Sequence, residues 1–277
     1  MRVAGVIGYP VAHSRSPAMQ QAAFDALGIA ARYELWDTPP DRLAARVAGL
    51  RAPEVLGANV TIPHKTAVLP LLDAVAPSAS PPLAAVNTIV REESAAGVRL
   101  VGHNTDVPAL RRVLAEQFAW AAGRRMLVLG AGGAARAALA VAQLEGAEVT
   151  VAARRVEGAR AALAALAPAH VLDLAETGTL TAALAGAHVL VNTTPVGMRE
   201  AEASPLPLEL LRQLSPASFV FDMIYRPPET ALVRAARALG LRAQGGLTML
   251  LYQGALAFAL WTGREPPLDA MRAALAP

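Results

Sequence analysis

The sequence predicts an α/β protein of two domains, each built on a mainly parallel sheet, and three observations carry that expectation. Short β-type apolar runs alternate with helix-forming segments along the chain, the arrangement that βαβ units produce. The length of 277 residues exceeds one typical domain and suits two. The stretch Leu127-Val-Leu-Gly130-Ala131-Gly132-Gly133-Ala134-Ala135 sets a Gly-x-Gly-x-x-Ala turn between an apolar run and an unbroken alanine-rich segment ending at Leu144. Strand, glycine turn and helix is the context in which that fingerprint holds a dinucleotide.

Taken in order, residues 3–8 read as a strand, and Ser14-Arg-Ser16-Pro17 as a loop entering a helix with Pro17 near its first position. The hydroxyls of Ser14 and Ser16 either cap that helix or bind a carboxylate, and local sequence leaves both readings open. Tyr33 to Trp36 reads as a strand, Asp41 to Leu50 as a helix, and Val55 to Val60 as a third strand. Asn59-Val-Thr61-Ile-Pro63-His64-Lys65 follows at the carboxyl end of that strand, where ligands of open α/β sheets collect. Asn59, Thr61 and Lys65 are expected to face one cleft, with Pro63 setting the turn and His64 filling it. Ala85-Val-Asn87-Thr88 reads as a strand, and Gly102 to Asp106 as the exit from the first domain. Pro108 then opens a helix with Asp106 near its N-terminus, where capping alone would account for an Asp.

In the second half, strands are expected at 125–130, 147–152, 169–173, 188–192 and 218–222. Gly130 allows the tight turn, Gly132 a close backbone approach to pyrophosphate, and Ala135 tight helix–strand packing. The unpaired N–H groups of the following helix then face the phosphates. The next strand ends in Ala153-Arg154-Arg155, with no carboxylate until Glu157. An Asp or Glu there bonds a ribose 2′-hydroxyl, whereas Arg accommodates a 2′-phosphate, so the cofactor reads as NADP(H). Val189-Leu-Val-Asn192-Thr-Thr-Pro195 and Asp222-Met223-Ile-Tyr225-Arg-Pro227 run off their strands toward the same edge. Gly245-Gly246 reads as a hinge, which gives three segments: 1–106, a dinucleotide-binding 107–244, and C-terminal helices at 245–277 packing back on the first.

Composition excludes several other classes. The isoelectric point is about 9.8, but the net charge is only +3 and the basic residues are scattered singles and pairs, which argues against nucleic acid. No apolar run approaches the roughly 18–20 residues of a membrane span. The N-terminal apolar run is cut off by Pro10, His13 and Ser14, unlike a signal peptide, so a cytoplasmic location is expected. With no cysteine and five scattered His, neither thiol chemistry nor a metal site is expected. Of the 25 basic residues the only lysine is Lys65, and asparagine occurs only at 59, 87, 104 and 192. Arg cannot release its proton under working conditions but Lys can be tuned to, which makes Lys65 a candidate acid/base.

Over essentially its whole length the chain resembles the shikimate dehydrogenases. The resemblance rests on Gly-Tyr-Pro-Val-x-His-Ser-x-Ser-Pro from Gly8, Asn59 to Lys65, Ala85 to Thr88, Asn104-Thr-Asp106, Gly130 to Ala134, Asn192-x-Thr-Pro-x-Gly-Met198, and Gly246 to Gln253. It implies a substrate domain followed by a Rossmann-type NADP-binding domain, and NADPH-dependent reduction of 3-dehydroshikimate to shikimate in aromatic amino-acid biosynthesis. Carried over by position, Lys65 and Asp106 are the catalytic pair, and Ser14 and Ser16 hold the substrate carboxylate. Thr61, Asn87, Asp106 and Gln253 bond its hydroxyls, and Tyr225 closes the site. Gly130 to Ala134 hold the pyrophosphate, Arg154 the 2′-phosphate, and Met223 and Gly246 the nicotinamide half.

Two departures stand out. The family's usual Asn-Arg-Thr is Ala153-Arg154-Arg155 here, and Val107 stands where a Gly often follows the Asn-Thr-Asp motif. The resemblance also admits a quinate/shikimate dehydrogenase of broader substrate use, or a catalytically silent NADPH-binding sensor. Loss of the Lys or Asp would mark the silent form, and both are present. The protein is expected to act as a monomer or homodimer on a small-molecule substrate.

Overall fold

The computed structural model describes residues 1–79, 82–117 and 123–276. The chain divides into two compact units, Met1–Asp106 with Leu250–Pro277, and Val107–Met249.

The first unit contains β1 (Arg2–Gly8), α1 (Ser16–Ala26), β2 (Ala31–Asp37), α2 (Leu43–Gly49), β3 (Val55–Val60), β4 (Ala74–Val75), β5 (Thr88–Ser94) and β6 (Gly97–His103). They form one sheet in the order β2-β1-β3-β5-β6-β4. β1 runs parallel to both β2 and β3. It is apolar almost throughout and buried from Val3 to Gly8, as a central parallel strand must be. β2 alternates buried and exposed positions, as suits a sheet edge. Ile7, Trp36, Leu50, Val60 and Ile89 anchor the core of this unit. Because β1 leads to β2 on one side and is flanked by β3 on the other, the sheet has a switch point at the carboxyl ends of β1 and β3.

The second unit begins with α3 (Asp106–Gln117), whose first residue belongs to the first unit, followed by β7 (Arg125–Leu129), α4 (Gly133–Leu144), β8 (Glu148–Ala153), α5 (Val156–Leu163) and β9 (His170–Asp173). It continues with α6 (Thr177–Gly186), β10 (Val189–Asn192), β11 (Phe219–Asp222), α7 (Ala231–Ala238) and β12 (Arg242–Gly245). All five strand pairings are parallel, in the order β12-β11-β10-β7-β8-β9. That is the Rossmann arrangement, with its reversal between β7 and β10. Two helices complete the chain: α8 (Leu247–Thr262), which begins in the second unit and continues into the first, and α9 (Leu268–Ala273).

The structure differs from the sequence expectation at several places. Asn87 is not on a strand, since β5 starts at Thr88; Asn87 bridges two strands from a loop, its N–H donating to His103 and its carbonyl accepting from Val60. The first sheet is less parallel than expected, because β5 pairs antiparallel with both β3 and β6. The helix expected at 41–50 opens with a 3-10 turn at Pro40–Arg42 and is helical proper from Leu43. Gly245 is not a free hinge but the last residue of β12, paired with Asp222, and 245–249 belong to the second unit.

Candidate active site

Lys65 lies just beyond β3, and its ammonium donates to Asp106 Oδ2 at 2.5 Å. The side chains are 16% and 7% exposed, so the pair is reachable by a small molecule but mostly withdrawn from water. Lys carries three donors, and this is its one side-chain bond among the described residues, which leaves two N–H groups for a ligand. Asp106 Oδ1 is held from the other side by Asn87 Nδ2 at 2.8 Å. Its carboxylate therefore serves a constellation beyond any capping of α3.

The orientation of Asn87 is fixed by a backbone donor. Thr105 N–H donates to Asn87 Oδ1 at 2.7 Å, so the amide nitrogen must face Asp106 and Thr105 Oγ1, the latter at 3.0 Å. Asn104 Oδ1 accepts from Asp106 N–H at 3.0 Å while its Nδ2 donates to Ala85 O. Asn59 was expected to face the cleft but is buried; Tyr33 donates to its Oδ1 at 2.7 Å, and its Nδ2 reaches Thr88 Oγ1 and Asn87 O. It lies on β3, which is buried throughout, with both ends of its amide taken by protein partners. His64 is buried and donates to Thr38 O at 2.7 Å, which makes it a turn filler.

Of the remaining candidates of this unit, Thr61 and Ser14 sit on loops after β3 and β1, while Ser16 opens α1 and Gln253 lies on α8. Thr61 N–H donates to Ile7 O and Tyr9 N–H to Ile62 O, which binds the loops after β1 and β3 together. Ser14 Oγ accepts from Ser16 N–H at 3.2 Å, and the N-cap residue of α1, Arg15, makes no side-chain capping bond. Gln253 lies on α8, with its Nε2 on Leu250 O at 2.9 Å. Next to it, Gly254 O accepts from the buried Gln20 of α1, so the helices carrying Ser16 and Gln253 are pinned to each other.

In the second unit, Gly130 follows β7 with φ +103, and a Cβ there would come within 2.8 Å of Thr193 Oγ1. Gly132 is the uncapped N-cap of α4, and a Cβ added there meets nothing within 4 Å. An open approach to the first N–H groups of a helix, at the switch point of a parallel sheet, fits the pyrophosphate of a dinucleotide. Gly133 and Ala134 form the first helical turn, and Ala131 precedes it, half-buried. Ala153 ends β8 buried, while Arg154 and Arg155 are exposed. Neither Arg side chain makes a hydrogen bond or ion pair with another described residue, and the Arg155 carbonyl accepts from Ala159 N–H of α5. Met223 and Tyr225 are half-buried after β11, and Gly246 packs so closely that a Cβ would lie 2.2 Å from Met223 O.

Sequence reasoning gave no role to Asp222, which is fully buried at the end of β11. Burial pushes its carboxyl above the ordinary carboxylate range, while bonds from Thr230, Ile224 N–H and Asn192 pull it back. The scarcity of asparagine was a usable signal: all four Asn are buried and hydrogen-bonded around one of these two loci. Among the described residues no group of three or more His, Asp and Glu could hold a metal, and no helix is long and apolar enough to cross a membrane.

Residues 6–89 match the family described as "Shikimate dehydrogenase substrate binding domain", and residues 246–276 match "Shikimate 5'-dehydrogenase C-terminal domain". The chain is 46% identical to the shikimate dehydrogenase (NADP(+)) of Symbiobacterium thermophilum, over 99% of this chain and 93% of that protein. The chain belongs to the shikimate dehydrogenase family. Among solved structures, it is similar to shikimate 5-dehydrogenase from Thermus thermophilus in complex with NADP(H) and shikimate, with 40% identity, a TM-score of 0.85, and coverage of 99% of this chain and 98% of that one. It is also similar to the ligand-free 5-ketofructose reductase of a Gluconobacter species, with 31% identity, a TM-score of 0.81, and coverage of 99% and 97%. The shikimate dehydrogenase fold thus also carries a reductase named for another ketone, so substrate must be argued from the site and not from the fold.

Proposed function

We propose that this chain catalyses the reversible NADPH-dependent reduction of 3-dehydroshikimate to shikimate in aromatic amino-acid biosynthesis, in the cytoplasm, as a monomer or homodimer. The observation that carries the reading is the Lys65–Asp106 pair, held at 2.5 Å and mostly withdrawn from water in the chain's only lysine. Bound NADPH supplies the hydride. The Lys65 ammonium polarises the ketone and hands its oxygen a proton as charge develops there. Asp106 orients that ammonium and balances its charge, and Asn87 in turn holds Asp106.

Ser14 and Ser16 take the substrate carboxylate; Thr61, Asn87, Asp106 and Gln253 bond its hydroxyls, and Tyr225 is a further substrate contact. Asn87 has both amide N–H groups engaged by Thr105 and Asp106, and its carbonyl oxygen accepts from Thr105 N–H and the Thr88 hydroxyl, so its contact with substrate displaces one of those bonds. Gly130, Ala131, Gly132, Gly133 and Ala134 cradle the pyrophosphate. The side chains of Arg154 and Arg155, unengaged and next to Ala153, supply the cationic seat of the 2′-phosphate, and Met223 and Gly246 line the nicotinamide end.

The deciding experiment measures steady-state rates with shikimate and with quinate, each with NADP and NAD. Shikimate with NADP is expected to give the highest kcat/KM. A preference for quinate, or for NAD, overturns the assignment in favour of a broader quinate/shikimate enzyme, and no turnover with any pair leaves a silent NADPH-binding protein.

A further inference from the structure

Three loops of the second unit converge on the Asp222 carboxylate through a chain of side-chain and backbone hydrogen bonds. Val196 N–H donates to Thr194 Oγ1 at 3.3 Å, so the Thr194 hydroxyl is free to donate to Asn192 Oδ1, at 2.8 Å. Thr194 N–H donates to the same oxygen at 3.0 Å, which forces the Asn192 amide nitrogen toward Asp222 Oδ1, at 3.0 Å. On the other side Val233 N–H donates to Thr230 Oγ1 at 3.3 Å, so the Thr230 hydroxyl donates to Asp222 Oδ2, at 2.7 Å. Ile224 N–H completes the set on Oδ1 at 3.0 Å. All arrows end at Asp222, and none of its bonds comes from a basic side chain.

A buried carboxylate without a cation is costly unless hydrogen bonds replace water. Here they do, and Thr230 links the anion to the positive N-terminal end of α7, of which it is the N-cap. The charged form accepts from the Asn192 amide, Ile224 N–H and the Thr230 hydroxyl together. What it holds is the wall of the dinucleotide crevice. Thr193 and Thr194 press on the Gly130 turn, Met223 N–H donates to Asn192 O, and Gly246 N–H donates to Ile224 O.

We propose that Asp222 is a positioning residue for cofactor binding: its carboxylate locks the loops after β10 and β11 together, and so sets Gly130, Met223 and Gly246 at one spacing. The proposal rests on the reading that these loops hold NADP(H), and it adds a residue that touches no substrate and no reacting atom.

The test uses Asp222→Asn, Thr230→Val and Thr230→Ser in the full chain, with NADPH binding followed by its fluorescence alongside kcat and KM. Asp222→Asn and Thr230→Val are each expected to weaken NADPH binding and raise the KM for NADP by about tenfold, as when a buried partner is left unsatisfied. The kcat at saturating NADP and the KM for shikimate should stay within about threefold, which separates lost binding from lost chemistry. Thr230→Ser keeps the hydroxyl and should restore wild-type binding. If Asp222→Asn does not fold, the Thr230 pair decides alone. A folded Thr230→Val that binds NADPH as wild type does, or one that loses kcat with KM unchanged, overturns the proposal. Should wild type bind NADPH but turn over no shikimate, the substrate reading fails while the fluorescence titration still decides this one.

Discussion

The chemical task proposed for Lys65 is one that no neighbour in the sequence can take over. His64 is buried against Thr38 O, and every other cationic side chain is an Arg. Replacing Lys65 by Met keeps the stem and removes the proton donor; kcat should fall by about 10²–10⁴-fold, the usual contribution of a positioned acid or base, with KM for shikimate and NADP little changed. Asp106→Asn should move kcat in the same direction. Near-normal turnover of Lys65→Met in steady-state assays would exclude the assignment. A second residue-scale outcome concerns Gly246, where even a methyl group would meet the Met223 backbone at 2.2 Å. Gly246→Ala should therefore displace the strand-end loop and raise the KM for NADP more than that for shikimate; equal cofactor affinity in wild type and variant would show that the loop tolerates the shift. The contact between Lys65 and Asp106 was legible in the sequence because each sits in a motif with a chemical reason for its residue type. The engagement of the Asn59 amide was not, since it depends on Tyr33 and Thr88 arriving from strands far apart in the chain.

At the scale of elements, the Rossmann strands were legible because each is a short apolar run between turn signals, and their boundaries match the expectation to within a residue or so. The β5–β6 hairpin was not. Its outer half, Arg91-Glu-Glu-Ser94 with Gly97-Val-Arg99, is polar and largely exposed, and only the antiparallel pairing of β5 with β6 makes it a strand. β12 escaped for a like reason: four residues, none fully buried, at a sheet edge. The hairpin has a tether with a pH signature. Asp73 Oδ2 accepts from Leu100 N–H at 2.7 Å, and Oδ1 from Arg51 at 2.9 Å. The Arg51 bond first, then the backbone bond, hold the Asp73 carboxyl down from 3.8 to about 2. A lowered folded-state value means the contribution is complete above about pH 4 and is lost as pH falls toward 2. Asp73→Asn should be less stable than wild type at neutral pH and approach it near pH 2, in urea denaturation followed by circular dichroism. A stability difference independent of pH would show that the tether does not act through its charge. The group is well exposed, so the effect should also shrink with salt.

For the whole molecule, two units mean that a ligand of one need not stabilise both, and the cofactor reading makes this measurable. A ligand that binds only the folded state stabilises it by about 2.7 kcal/mol at a hundred times its Kd. The pyrophosphate cradle at Gly132 and α4 is common to NAD and NADP, so both should raise the melting temperature of the second unit. Only NADP adds a 2′-phosphate to Arg154 and Arg155, both exposed and with side chains that have no other described partner, where the family's usual Asn-Arg-Thr offers one cation. NADP should thus give the larger shift at equal concentration, and its advantage should fall with added salt because the contacts are solvent-facing and screened within about 8 Å at physiological ionic strength. In the double variant Arg154→Ala/Arg155→Ala the NADP shift should drop to that of NAD, while the NAD shift stays as it was. Differential scanning fluorimetry with each dinucleotide, at low and high salt, reads all of these outcomes. Equal shifts by NAD and NADP in the wild type would refute the 2′-phosphate seat, and an NADP preference that survives in the double variant would move that seat away from the end of β8.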